Sequence, residues 1–126
     1  MQIGRLGLVM VVVKDMERSV KFYRDVLGLD LLFHQNNWSQ FNAGTIIVGL
    51  HPEGDEVKVG PTSGCTFAFY VDDIVKTTSE LKRRGGHIAV EPRPEPFGRW
   101  ALLKDPDGYN IQIVELKSGY REQHQI

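Results

Sequence analysis

One stretch of the chain occurs twice. Residues 13–28, VKDMERSVKFYRDVLG, align without a gap on residues 71–86, VDDIVKTTSELKRRGG, at an offset of 58 positions. Val13 falls on Val71, Asp15 on Asp73, Met16 on Ile74, Arg18 on Lys76, Ser19 on Thr77, Tyr23 on Leu81 and Gly28 on Gly86. An internal repeat constrains architecture more than any single motif, because each copy is one supersecondary unit. Two copies are too few for a solenoid. They suit a pseudo-twofold domain built from one strand–helix–turn unit used twice.

The patterning around each copy fills in the unit. Leu8–Val13 is rich in β-branched residues and reads as a strand. Asp15 then offers a side-chain oxygen as a helix cap. Met16, Val20, Tyr23 and Leu27 share one helical face, and Gly28 tolerates the left-handed conformation that ends a helix. Leu29–His34 reads as a third element, a strand. Trp38–Asn42 and Thr45–His51 read as a hairpin across Asn42-Ala43-Gly44. Residues 52–64, dense in Pro, Gly and acids, read as a linker. The second half repeats the order: a strand Cys65–Val71, a helix capped by Asp73 and stopped by Gly85-Gly86, and a short strand His87–Val90. A last hairpin, Arg99–Lys104 with Asn110–Glu115, turns at Asp105-Pro106-Asp107-Gly108, which suits a type I turn. Residues 91–98 hold three prolines and read as a loop, since proline gives a sheet no ladder donor. The expected domain is thus module one 5–52, linker 53–64, module two 65–117 and a polar tail 118–126.

Composition excludes several function classes. A chain of 126 residues and net charge −1 has no basic face for nucleic acid. Its densest basic run, Lys82-Arg83-Arg84, ends a helix, where cations complement the carbonyl dipole. The apolar run Leu6–Val13 is far short of the ~20 residues that span a bilayer, and Lys14 and Asp15 follow it rather than a cleavage site. A cytoplasmic protein is expected. The single cysteine, Cys65, permits no internal disulfide and is expected to be a small packed residue. No nucleophile–base pair, phosphate loop or carboxylate dyad is evident.

The doubled strand–helix–three-strand unit resembles the vicinal oxygen chelate superfamily, which includes glyoxalase I, extradiol dioxygenases and bleomycin- and fosfomycin-resistance proteins. VVVKDMERSVKFYRDVLGL at 11–29, FYVDD at 69–73 with Gly85-Gly86, and DPDGYNIQIVE at 105–115 carry the resemblance. It implies an α+β fold of two βαβββ modules, with curved mixed sheets around a cleft, and a homodimer. It also implies where metal-dependent members place their four His, Glu or Gln ligands. Counted from the local landmarks, those positions are Leu8, Gly49, Thr66 and Gln112 here. Leucine and glycine have no lone pair, and threonine is a poor ligand. A transition metal needs several imidazole, carboxylate or thiolate donors. No metal and no other cofactor is therefore expected.

Strand parity then selects the cleft side. It puts Leu8, Met10 and Val12, with Thr66, Ala68 and Tyr70, on that side, beside Asn110, Gln112 and Val114. His51 shares the parity of Gly49, and Trp38 and Trp100 fall on flanking strands. Val9, Val11, Val13, Phe67, Phe69, Ile111 and Ile113 are expected under the helices, and Glu115 faces away. The expected ligand-binding set is Leu8, Met10, Trp38, Gly49, His51, Thr66, Tyr70, Trp100 and Gln112, holding a small, partly aromatic molecule. His87 and His124 are expected at the surface. The competing reading is a lyase, isomerase or dioxygenase, using metal-free acid–base groups such as His51 or Tyr70, or a displaced metal at His51 and His34. A third is an accessory domain acting through a dimer surface.

Overall fold

The computed structural model describes residues 3–60, 64–120 and 122. Two compact units divide the chain, residues 1–60 and 61–126.

In the first unit, β1 (Leu8–Val13) leads into helix α1 (Met16–Lys21), which continues into one π-helical turn, Phe22–Val26. The Asp15 carboxylate accepts the Arg18 N–H at 3.0 Å and so caps α1. The wider turn shows in the Leu27 N–H donating to the Phe22 carbonyl, five residues back, at 3.0 Å. Gly28, at φ 77°, then turns the chain into the sheet. Strands β2 (Asp30–His34), β3 (Ser39–Asn42) and β4 (Ile47–Pro52) complete a four-stranded sheet of order β1-β4-β3-β2. β1 pairs parallel with β4, and the others are antiparallel. Val11 and Val13 of β1, Phe41 of β3 and Val48 and Leu50 of β4 are buried together with Met16, Val20, Phe22 and Tyr23. That face is the core, and the alternate residues make a helix-free face.

The second unit repeats this connectivity. β5 (Phe67–Tyr70), α2 (Ile74–Arg83), β6 (His87–Glu95), β7 (Gly98–Lys104) and β8 (Asn110–Leu116) form a sheet of order β5-β8-β7-β6. β5 lies parallel to β8 as β1 does to β4. Asp73 accepts the Lys76 N–H at 3.1 Å, the same cap as Asp15. Ile74, Leu81, Ala101, Leu103, Ile111 and Ile113 are buried at the helix side. Val9, Phe67 and Phe69, expected there too, are only half-buried because β1 and β5 are edge strands. The Asp105–Gly108 turn closes with the Gly108 N–H on the Asp105 carbonyl at 3.0 Å.

Two expectations need correction. Residues 91–95 are strand and not loop. β6 runs on through Pro92 and Pro94, which its position at the sheet edge permits. Two register shifts in its pairing with β7 absorb the irregularity. Cys65 is exposed instead of packed, since β5 begins only at Phe67. His87 is exposed as expected, and His124 lies outside the described residues.

Candidate functional site

Strand register sorts the expected site residues onto the helix-free face of each sheet. In the first sheet Met10 pairs with Gly49, and Val12 with His51, while Gln40 of β3 lies opposite Gly49. Leu8 and Met10 are 40% and 42% exposed, a large apolar outlay for an edge strand. Trp38 immediately precedes β3. Its indole N–H donates to the Gln40 side-chain oxygen at 2.8 Å, and its ring meets the His51 ring edge-on, with centroids 6.4 Å apart. The same indole lies across Gly49. A Cβ built on Gly49 would sit 2.3 Å from Trp38 Cη2 and 2.5 Å from Cζ2. Only glycine leaves room for the ring there. Trp38, Gln40, Gly49 and His51 are therefore one assembly on one face.

In the second sheet the corresponding assembly is Trp100, Gln112 and Thr66. The Trp100 indole N–H donates to the Gln112 side-chain oxygen at 3.0 Å, and the Gln112 amide N–H donates to Thr66 Oγ at 2.7 Å. The Arg93 guanidinium lies over the Trp100 ring, 4.5 Å from its centroid. Tyr70, 53% exposed, lies on the neighbouring edge strand β5, where it pairs with Val114. Each unit thus presents one tryptophan whose indole N–H is held by a glutamine, and whose ring is left on the helix-free face.

This arrangement decides the fit of the family's metal. Leu8 and Gly49 have no donor atom. The oxygen of Gln112 accepts from Trp100, and its amide nitrogen is engaged by Thr66. The space above Gly49, where a longer side chain would reach outward, is filled by Trp38. The four residues that the resemblance assigns to the metal supply no imidazole, carboxylate or thiolate, so they do not fit a transition metal. Among the described residues no group of three or more His, Cys, Asp or Glu is positioned to hold one. The displaced alternative also fails on geometry. His34 pairs with Ser39, which pairs with Leu50, so His34 and His51 lie on opposite faces of the first sheet.

His34 belongs to a constellation that the sequence did not reveal. Its Nδ1 lies 2.7 Å from Ser39 Oγ and its Nε2 2.9 Å from Glu17 Oε1. The contact escapes sequence reading because α1, β2 and β3 bring together residues far apart in the chain. The triad order is nonetheless structural. Ser39 is fully buried on the core side, where no substrate reaches its hydroxyl. The three groups tie α1 to the β2–β3 hairpin.

Glu115 faces the helix as expected, and its carboxylate accepts the Ile74 N–H at the start of α2 at 2.8 Å. A depression of about 210 Å³ lies beside it, lined by Tyr70, Val71, Asp72, Glu115 and Leu116. It shares only Tyr70 with the expected site and sits at the strand ends, so the tryptophan assemblies remain the stronger candidate. Asp25, hydrogen-bonded by Arg24, and Glu80, hydrogen-bonded by Arg83, are held below the ordinary carboxylate range; both lie on helices.

Residues 5–113 match the family described as Glyoxalase/Bleomycin resistance protein/Dioxygenase superfamily. The chain belongs to that superfamily. It is 31% identical to a probable lactoylglutathione lyase of Vibrio parahaemolyticus, over 90% of this chain and 92% of the relative. It is 30% identical to the lactoylglutathione lyase of Salmonella typhimurium, over 93% and 96%. Among solved structures it is similar to TnmS3, an antibiotic binding protein from Streptomyces sp. CB03234, with TM-score 0.75 and 28% identity, covering 93% of this chain and 99% of that one. A glyoxalase/bleomycin resistance protein/dioxygenase from Nocardioides shares the fold, with TM-score 0.78 at 19% identity over 94% and 87%. No helix among the described residues is long and apolar enough to cross a membrane.

Proposed function

We propose that this superfamily member is a metal-independent binding protein for a small, partly aromatic molecule that stacks on a fixed tryptophan, Trp38 in the first unit or Trp100 in the second. One observation carries the reading: a tryptophan fixed by a glutamine occupies Gly49 and Gln112, two positions that the family resemblance assigns to metal ligands. Trp38 covers Gly49, and Trp100 takes the Gln112 oxygen. A tryptophan fixed through its N–H keeps its π-face in one orientation, and aromatic stacking rewards such pre-organisation. In the first unit Leu8 and Met10 supply apolar area and His51 a polar atom for orientation; in the second unit Tyr70 and Thr66 do the same. The likeness to an antibiotic binding protein at 28% identity supports the same reading. The protein is further proposed to act as a homodimer in the cytoplasm, and light scattering tests the dimer.

The chain has two tryptophans, so intrinsic fluorescence reports on the site directly. A panel of planar aromatic compounds is expected to quench it saturably in EDTA-treated protein, and quenching is expected to fall by half or more in Trp38→Phe or Trp100→Phe. A panel without a single saturable quencher overturns the proposal.

The identity of 30–31% to lactoylglutathione lyases favours a second reading, a lyase of the same superfamily. A lactoylglutathione lyase assay of untagged protein, with and without added Zn²⁺ or Ni²⁺, separates the two. Metal-stimulated turnover supports the lyase.

A further inference from the structure

We propose that His51 is a specificity-determining hydrogen-bond acceptor, and that the aromatic ligand it selects carries a hydroxyl group. This deepens the proposed binding role and rests on it. His51 Nδ1 lies 2.6 Å from the Pro52 carbonyl oxygen, which can only accept, so Nδ1 carries the proton. In the neutral imidazole Nε2 then holds the lone pair. Deprotonating Nδ1 to make Nε2 the donor would put two lone pairs against each other at that carbonyl, so the tautomer is locked by the backbone.

The ring is also fixed in orientation. Trp38 meets it edge-on at an interplanar angle of 66°, and Trp38 is itself held by Gln40 and seated on Gly49. The strand neighbour of His51 is Val12, and Met10 follows on the same face, so the β1 side of the ring is apolar. An acceptor nitrogen set beside an aromatic platform and apolar side chains favours a ligand that offers an O–H at the rim of a stacked ring. It disfavours an ether or carbonyl at that point, whose lone pairs would oppose Nε2. The selected class is therefore hydroxylated aromatics, phenols and naphthols in chemical terms.

Equilibrium dialysis with 2-naphthol and 2-methoxynaphthalene tests the assignment, because the ether keeps the ring and its oxygen and replaces the hydroxyl proton with a methyl group. Wild-type protein is expected to hold 2-naphthol about tenfold more tightly than its methyl ether, the worth of one well-made hydrogen bond. His51→Phe is expected to bring the two within about twofold by removing that bond. His51→Gln, which keeps an acceptor oxygen, is expected to restore part of the preference. Far-ultraviolet circular dichroism on each variant establishes that it is folded. Equal binding of both probes by wild type, or a preference retained in His51→Phe, overturns the role of His51 while leaving aromatic binding intact. Binding of neither probe overturns both proposals.

Discussion

Gly49→Ala should destabilise the protein, and the cost should vanish when Trp38 is also removed. The new Cβ would stand 2.3 Å and 2.5 Å from two indole carbons, against the ~3.5–4.0 Å of a normal carbon contact. The ring must therefore retreat by about 1 Å or more. An indole is rigid, and this one is held by the 2.8 Å bond to Gln40 and the contact with His51. Forcing a methyl into such a site costs about 1–3 kcal/mol. Loss of the indole hydrogen bond adds about 1 kcal/mol. Alanine recovers about 0.5–1 kcal/mol because glycine loses more chain entropy in a strand. The net expectation is a loss of about 1–3 kcal/mol. Urea unfolding followed by far-ultraviolet circular dichroism measures it without relying on tryptophan. In a Trp38→Ala background the same Gly49→Ala change should cost less than about 0.5 kcal/mol, so that the double-mutant cycle returns most of the effect as coupling. A Gly49→Ala protein as stable as wild type would refute the reasoning, as would an equal cost in both backgrounds.

Other perturbations separate the two faces of the sheets. Glu115→Ala should cost about 1–2 kcal/mol through the lost acceptor at the α2 N-terminus. It should leave 2-naphthol binding unchanged, because Glu115 faces the helix. Gln112→Leu should cost about 1–3 kcal/mol by stranding the Trp100 N–H and the Thr66 hydroxyl. In a Trp38→Phe background it should also shift the emission of Trp100, which fluorescence reads directly. Ser39→Ala should lower the urea midpoint by the equivalent of about 1 kcal/mol, since the His34 ring loses one anchor, and should leave ligand binding intact.

What was legible in the sequence followed from local rules. Asp15 and Asp73 each cap the helix that the repeat predicts, and Gly28 closes the first one. Strict alternation sent Ile111 and Ile113 inward and Glu115 toward α2, while Leu8, Met10 and Tyr70 stayed exposed. The departures arise where tertiary position overrides local preference. Pro92 and Pro94 argue against a strand only if that strand is central, and edge placement is invisible in one sequence. Cys65 was read into a strand that starts two residues later, so it lost the expected cover. Glu17, His34 and Ser39 carry no shared motif, because their meeting depends on how α1 lies across the hairpin. The seat of Trp38 on Gly49 is a contact that no spacing reveals. That contact explains why residue 49 is glycine.

The central claim is that this member binds its ligand without the family's metal. Calorimetric titration of Zn²⁺ and Ni²⁺ into untagged, EDTA-treated protein tests it most directly. No one-to-one binding event is expected from a donor set of leucine, glycine, threonine and an already engaged glutamine. A single stoichiometric site that disappears in Gln112→Ala would contradict it.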